Sequence, residues 1–205
     1  MDPLKKKIII AFLVLSALGA VSLLILKFVD FDGNKRAEVP QGSYDFYVAD
    51  FNKDIFKDKG YTELSRDLFY TDGATTVIVE EEDFDKYDPI VRFFAEYIDA
   101  VIRGDSETYN SFFSKEFIDA NGEKGPFTMQ QLYNIRLENL GKRETETDGV
   151  KYRVYEVSLE YMIRQNNGSF RNDMGSDAIR RQLFRVIERN GKLEILSVST
   201  FYLAD

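Results

Sequence analysis

Two stretches decide the fold class between them: 88–104, DPIVRFFAEYIDAVIRG, and 154–164, VYEVSLEYMIR. In the first, Asp88 precedes Pro89, a pair suited to open a helix. The carboxylate accepts from the unpaired N–H groups of the first turn, and proline tolerates the first helical position. Ile90, Phe94, Tyr97, Ile98, Val101 and Ile102 then recur at helical spacing, Val91 and Phe93 widen the stripe, and Gly104 ends it. In the second, Tyr155, Val157, Leu159, Tyr161 and Ile163 alternate with Glu156, Ser158 and Glu160. That is the two-residue period of a strand with one buried face. Helical period followed by strand period predicts an α+β domain with its helices on one face of an antiparallel sheet.

Downstream of Gly104, Asp105 or Ser106 caps a second helix carrying Tyr109, Phe112, Phe113 and Phe117, and Asn121-Gly122 stops it. Thr128-x-x-Gln131 reads as a capping box, with Phe127 stapled against Leu132. Met129, Leu132, Tyr133, Leu137 and Leu140 then predict a third helix ending at Gly141. Strands follow at 155–163, around Ile179, Leu183 and Ile187, and at 193–202, with turns at Asn166-Asn167-Gly168 and Asn190-Gly191. The expectation for 88–205 is three helices packed on a curved antiparallel sheet. Residues 44–87 read as irregular, apart from a short hairpin made by Phe69-Tyr70, Thr71-Asp72-Gly73 and 75–79.

At the other end, 8–26 is a run of 19 residues without charge or proline, preceded by Lys5-Lys6-Lys7. As a helix it would span roughly 28 Å, close to the hydrocarbon thickness of a bilayer. It continues past Ala17-Leu18-Gly19, where a cleaved signal would stop. The run predicts one transmembrane helix, and the lysines place residues 1–7 in the cytoplasm. Residues 27–43 then form a stalk. The expected localisation is the cell membrane, single-pass, with an extracytoplasmic C-terminal domain.

Composition excludes several chemistries. The 205-residue chain has no Cys and no His, and its formal charge is −8. Residues 28–205 hold 23 basic against 34 acidic residues, which argues against nucleic-acid binding. Disulfides, thiol chemistry, Ser-His-Asp triads and the usual zinc, iron and copper sites lack their residues. No catalytic residue, cofactor or metal ligand is assigned. Asp50-x-Asn52-x-Asp54 starts like a calcium loop, but Ile55 stands at the sixth position and Tyr61 at the twelfth. The acidic run 80–83, with Asp85 and Asp88, reads as a solvated linker that favours the next helix N-terminus.

Arginines concentrate in the strand region: Arg164, Arg171, Arg180, Arg181, Arg185 and Arg189. Two readings stand. The arginines pair across strands with Glu156, Glu160 and Glu194. Alternatively, Arg171, Arg180, Arg181, Arg185 and Arg189 form a docking surface for an acidic partner or a second copy.

Phe93-Phe94-x-x-Tyr97 leading to Gly104-Asp105-x-x-x-Tyr109, and Phe184-Arg185-Val186 leading to Gly191-Lys192-Leu193-x-Ile195, resemble the opening and final hairpin of the nuclear-transport-factor-2-like superfamily. The resemblance covers roughly 88–203. It implies a cone of sheet wrapped around helices, with a pocket between them in which some members use a buried Asp and Tyr for proton transfer. Asp99, Tyr109, Tyr133 and Tyr152 are the residues to place against such a pocket. A basic end, one span and an outer domain are similar in layout to inner-membrane scaffold subunits of type IV secretion machines, which implies self-association and docking to other envelope proteins. The expected function is therefore a membrane-anchored binding or scaffold domain. A small-ligand sensor and a histidine-independent enzyme are the alternatives.

Overall fold

The computed structural model describes residues 44–147 and 150–200. Asp54 caps a 3₁₀ turn at Ile55–Lys57, and Asp58 caps the short helix α1, Lys59–Thr62. The hairpin follows as β1, Leu68–Asp72, and β2, Thr75–Val79, as expected from its turn residues. A second 3₁₀ turn at Glu81–Lys86 leads into α2, Pro89–Arg103, which opens at Asp88-Pro89 and ends at Gly104. Two short helices come next, α3 at Ser106–Ser111 and α4 at Lys115–Asn121. The remaining strands are β3, Gln131–Thr147, β4, Val150–Arg164, β5, Gln182–Arg189, and β6, Lys192–Thr200.

One six-stranded sheet runs β2-β1-β3-β4-β5-β6. It is mixed, not antiparallel throughout, because β1 pairs with β3 in parallel, Leu68 beside Ile135 and Tyr70 beside Leu137. The hairpin thereby joins the sheet of the later strands. α2 buries Ile90, Val91, Phe93, Phe94, Tyr97, Ile98, Ala100 and Val101. Against them lie Tyr155, Val157, Leu159, Tyr161 and Ile163 of β4, with Phe184, Val186 and Ile195. The alternation read from β4 therefore marks its core face.

The expected third helix is corrected: Gln131–Thr147 is the long strand β3. Its core residues are Leu132, Ile135 and Leu137. A bulge between Tyr133 and Arg136, with Asn134 at φ 51°, stretches the first interval to three residues, and a second bulge follows between Asn139 and Gly141. A bulged strand thus imitates helical spacing. The supposed capping residues serve other partners, since Gln131 donates to Asp58 at 3.1 Å and accepts from Arg164 at 3.0 Å.

The second helix is also corrected, into two pieces. Ile195 N–H donates to the Phe112 carbonyl at 2.8 Å, and Ser114 N–H to the Ile195 carbonyl at 2.9 Å. Those bonds pull 112–114 out of helical geometry, and Ser114 starts α4 afresh by accepting from Phe117 N–H at 3.1 Å.

The single-pass membrane architecture is corrected as well. Among the described residues no helix is long and apolar enough to cross a membrane. α2 has 15 residues, or about 22 Å against the roughly 30 Å of a bilayer core, and it carries Arg92, Glu96, Asp99 and Arg103 on its outer side. The run 8–26 lies outside the described residues. A transmembrane helix, a membrane partner and a cell-membrane localisation with an extracytoplasmic domain therefore have no support from the structure.

Candidate functional site

Residues 44–57 form a strap held against the loop that follows β4. Tyr47 N–H donates to the Asn166 carbonyl at 3.0 Å. Arg180 donates to the Tyr44 hydroxyl at 2.5 Å and lies 5.8 Å above its ring. The Phe46 ring sits so close to Gly168 that a Cβ there would lie 3.2 Å from it. The loop is itself rigid: the fully buried Asn166 donates to the carbonyls of Arg171 at 2.9 Å and Met174 at 2.7 Å. Satisfying buried carbonyls in this way makes one loop conformation strongly favoured.

On this fixed mount the strap leaves apolar side chains in solvent. Tyr47 is 54% exposed, Phe51 63% and Val48 91%, with Phe46 and Phe56 also open. Grouped exposure of this kind marks contact surfaces, whereas single exposed apolar residues do not.

Beside the strap a cleft of about 420 Å³ opens between it and the adjoining ends of β3 and β4. Its two lining cations, Lys53 and Arg164, are matched by the neighbouring Asp58. Asp58 accepts from Arg164 at 2.7 Å, and Lys53 stands 3.9 Å from Asp58 while donating to Gln165 at 2.8 Å. The Arg164 hydrogen bond, then that of Gln131, hold the Asp58 carboxyl down at about 2. An acid so firmly ionised is a poor proton donor near neutral pH. The cleft itself is lined by apolar side chains, Tyr47, Val48, Ile55 and Met129, as well as by polar ones.

Between α2 and the sheet, where the resemblance places a pocket, aromatic rings fill the space. Phe94 and Tyr97 pack on Phe184 at 5.0 and 5.7 Å, and Tyr109 packs on Phe170 at 5.5 Å. The Tyr97 and Tyr109 hydroxyls meet at 3.5 Å, and burial pushes Tyr109 up to about 12 and Tyr97 well up. Of the four pocket candidates only Tyr109 lies inside. Asp99 is an exposed residue paired with Arg103, Tyr133 bonds Asp177 at the surface, and Tyr152 lies beneath Arg189.

The arginines divide into two groups. Arg171 is buried, donating to Asp173 at 2.5 and 2.7 Å and to the Tyr161 hydroxyl at 3.1 Å. Burial pushes the Asp173 carboxyl up, but the Arg171 bonds and charge outweigh it and hold it below its ordinary value. Arg171 thus ties the loop to the core, and Arg180 anchors the strap. Arg181, just ahead of β5, and Arg185 and Arg189, on the face of β5 away from Phe184 and Val186, pair with Glu160 at 2.5 Å, Glu156 at 3.7 Å and Glu116 at 2.8 Å. Glu194 pairs with Lys192 instead. The structure does not gather the five into one patch.

Asp50 and Asp54 accept from Asn52 and Phe56 N–H groups as local turn caps. In the acidic run, Asp83 pairs with Lys86, Asp85 with Arg92 and Asp88 with Lys142. Among the described residues no group of three acidic side chains is placed to hold a metal.

No protein-family model matches the chain, and no curated protein matches it in sequence. Among solved structures, the association domain of C. elegans CaMKII is similar at 12% identity and a TM-score of 0.30, over 60% of this chain and 100% of that one.

Proposed function

We propose that this domain is a protein-binding module of scaffold type, and that its strap meets a second copy of the chain. The observation that carries the reading is the set of exposed apolar side chains at Phe46, Tyr47, Val48 and Phe51 on a segment pinned at both ends of its contact with the 165–180 loop. A rigid mount lowers the ordering cost of association. Apolar patches are self-complementary without matched charges, and an isologous contact needs only one of them. The aromatic rings packed between α2 and the sheet support work at the surface. Helix α2 lying on the sheet, and the β5–β6 hairpin, support membership of the nuclear-transport-factor-2-like superfamily as part of the same proposal.

Sedimentation equilibrium of the full-length chain tests it, comparing the natural sequence with a Phe46→Ser, Phe51→Ser variant. The proposal expects concentration-dependent association that the variant weakens at least tenfold. Equal association of the two proteins, or monomers at every concentration, would overturn it.

A further inference from the structure

The sheet has two edges, and they are finished differently. At β6 the 112–114 segment bonds Ile195 from both sides, and a bulge interrupts the register opposite Arg185 and Val186. Cover and bulges are the usual means of blocking an edge. β2 lies at the other edge, and among the described residues nothing pairs with its outer side. Its sequence, TTVIV, has no charge, proline or glycine, and Ile78 is 48% exposed. The backbone groups of β2 that point away from β1 form an open template for another strand.

We propose that β2 receives an extended segment of another protein, carrying basic residues at one end, as a seventh strand of the sheet. The chemistry beside the edge selects this occupant. Glu80, Glu81 and Glu82 follow β2 directly and are exposed, while the cations nearest in sequence, Lys86 and Arg92, are taken by Asp83 and Asp85. An incoming strand would lay apolar side chains beside Ile78 and basic ones beside these glutamates. A second copy fits badly. In antiparallel self-pairing across Val77 neither copy brings a cation to the other's Glu80, Glu81 and Glu82, because β2 and the residues around it carry none. The β2 edge is a different surface from the strap, so either can fail without the other.

The probe is a fluorescent peptide of alternating Thr and Val with two arginines at one end, titrated into the full-length chain at low salt and followed by anisotropy and by amide exchange. The expected results are saturable binding, protection of the Thr75–Val79 amides, and at least tenfold weaker binding to a Glu81→Lys, Glu82→Lys variant. Both glutamates are exposed, so that variant is expected to fold. A peptide with glutamates in place of the arginines should bind at least tenfold more weakly. No binding, binding without protection of β2, or equal binding of both peptides or both proteins would overturn the proposal.

Discussion

Replacing Gly104 by Ala tests how the chain leaves α2. Gly104 sits at φ 68° and ψ 25°, and its N–H donates to Val101 while that of Asp105 donates back to Ala100 at 2.9 Å. That is a Schellman ending, which requires the left-handed residue. Alanine in that conformation costs about 1–2 kcal/mol. The surroundings add to this, because a Cβ would lie 2.7 Å from Met129 N, 2.7 Å from Thr128 C and 2.8 Å from Phe127 O. All three are backbone atoms, and Gln130 N–H ties the same segment to the Ile102 carbonyl at 3.0 Å. Relief therefore means moving the entry to β3, at the roughly 1–3 kcal/mol typical of overpacking. The total is about 2–5 kcal/mol, a fall in Tm of roughly 5–15 °C for a chain of this size. Gly73→Ala is the control. Gly73 has φ 58° and nothing within 4 Å of a Cβ, so only the conformational part, about 1–2 kcal/mol, applies. Urea unfolding followed by circular dichroism, with m compared between variants, gives both numbers. If Gly104→Ala costs no more than Gly73→Ala, the segment 127–129 does not lie under the end of α2, and the described route from helix to sheet is wrong.

Arg171→Ala should destabilise by about 3–5 kcal/mol, because it strands a largely buried Asp173. Arg181→Ala, at a half-exposed position, should stay within about 0.5 kcal/mol; chemical denaturation of the two variants checks the division of the arginines. Asp58 is held at about 2 in the folded chain, against about 3.9 when unfolded. Its stabilising effect is therefore complete above about pH 4 and lost as pH falls through about 2. The stability difference between the natural chain and Asp58→Asn should shrink over that window, and a difference independent of pH would contradict the Arg164 contact. Phe184→Ala removes a ring that packs on both Phe94 and Tyr97 and should cost about 3–5 kcal/mol. Thermal unfolding measures this, and a loss under about 1 kcal/mol would mean that the interior is not filled as described.

Elements governed by local chemistry were legible in the sequence. Asp88-Pro89 and Gly104 bound α2, Asp72-Gly73 turns the hairpin, and strict alternation from Tyr155 to Ile163 marks the core face of β4. What escaped was set by distant partners. The bulge at Asn134 gave β3 a helical spacing, and Thr128 and Gln131, which imitate a capping box, bond instead to Ser169, Asp58 and Arg164. The break after Ser111 depends on Ile195, far along the chain. The arginines read as one cluster because they are close in sequence, but Arg171 and Arg180 belong to the loop between β4 and β5, whereas Arg181, Arg185 and Arg189 run from the start of β5 along its outward face. In the sequence the strap falls within 44–87, which reads as irregular apart from the hairpin. Its mount, Asn166 with Arg180, lies more than a hundred residues away, so no local signal marked those aromatics as exposed.

Amide hydrogen exchange on the full-length chain, compared between dilute and concentrated solutions, tests the surface role of the strap most directly. The expected result is concentration-dependent protection confined to 44–57 and the adjoining loop at 165–168. Protection falling instead on Gln182–Arg189, or none at any concentration, would contradict it.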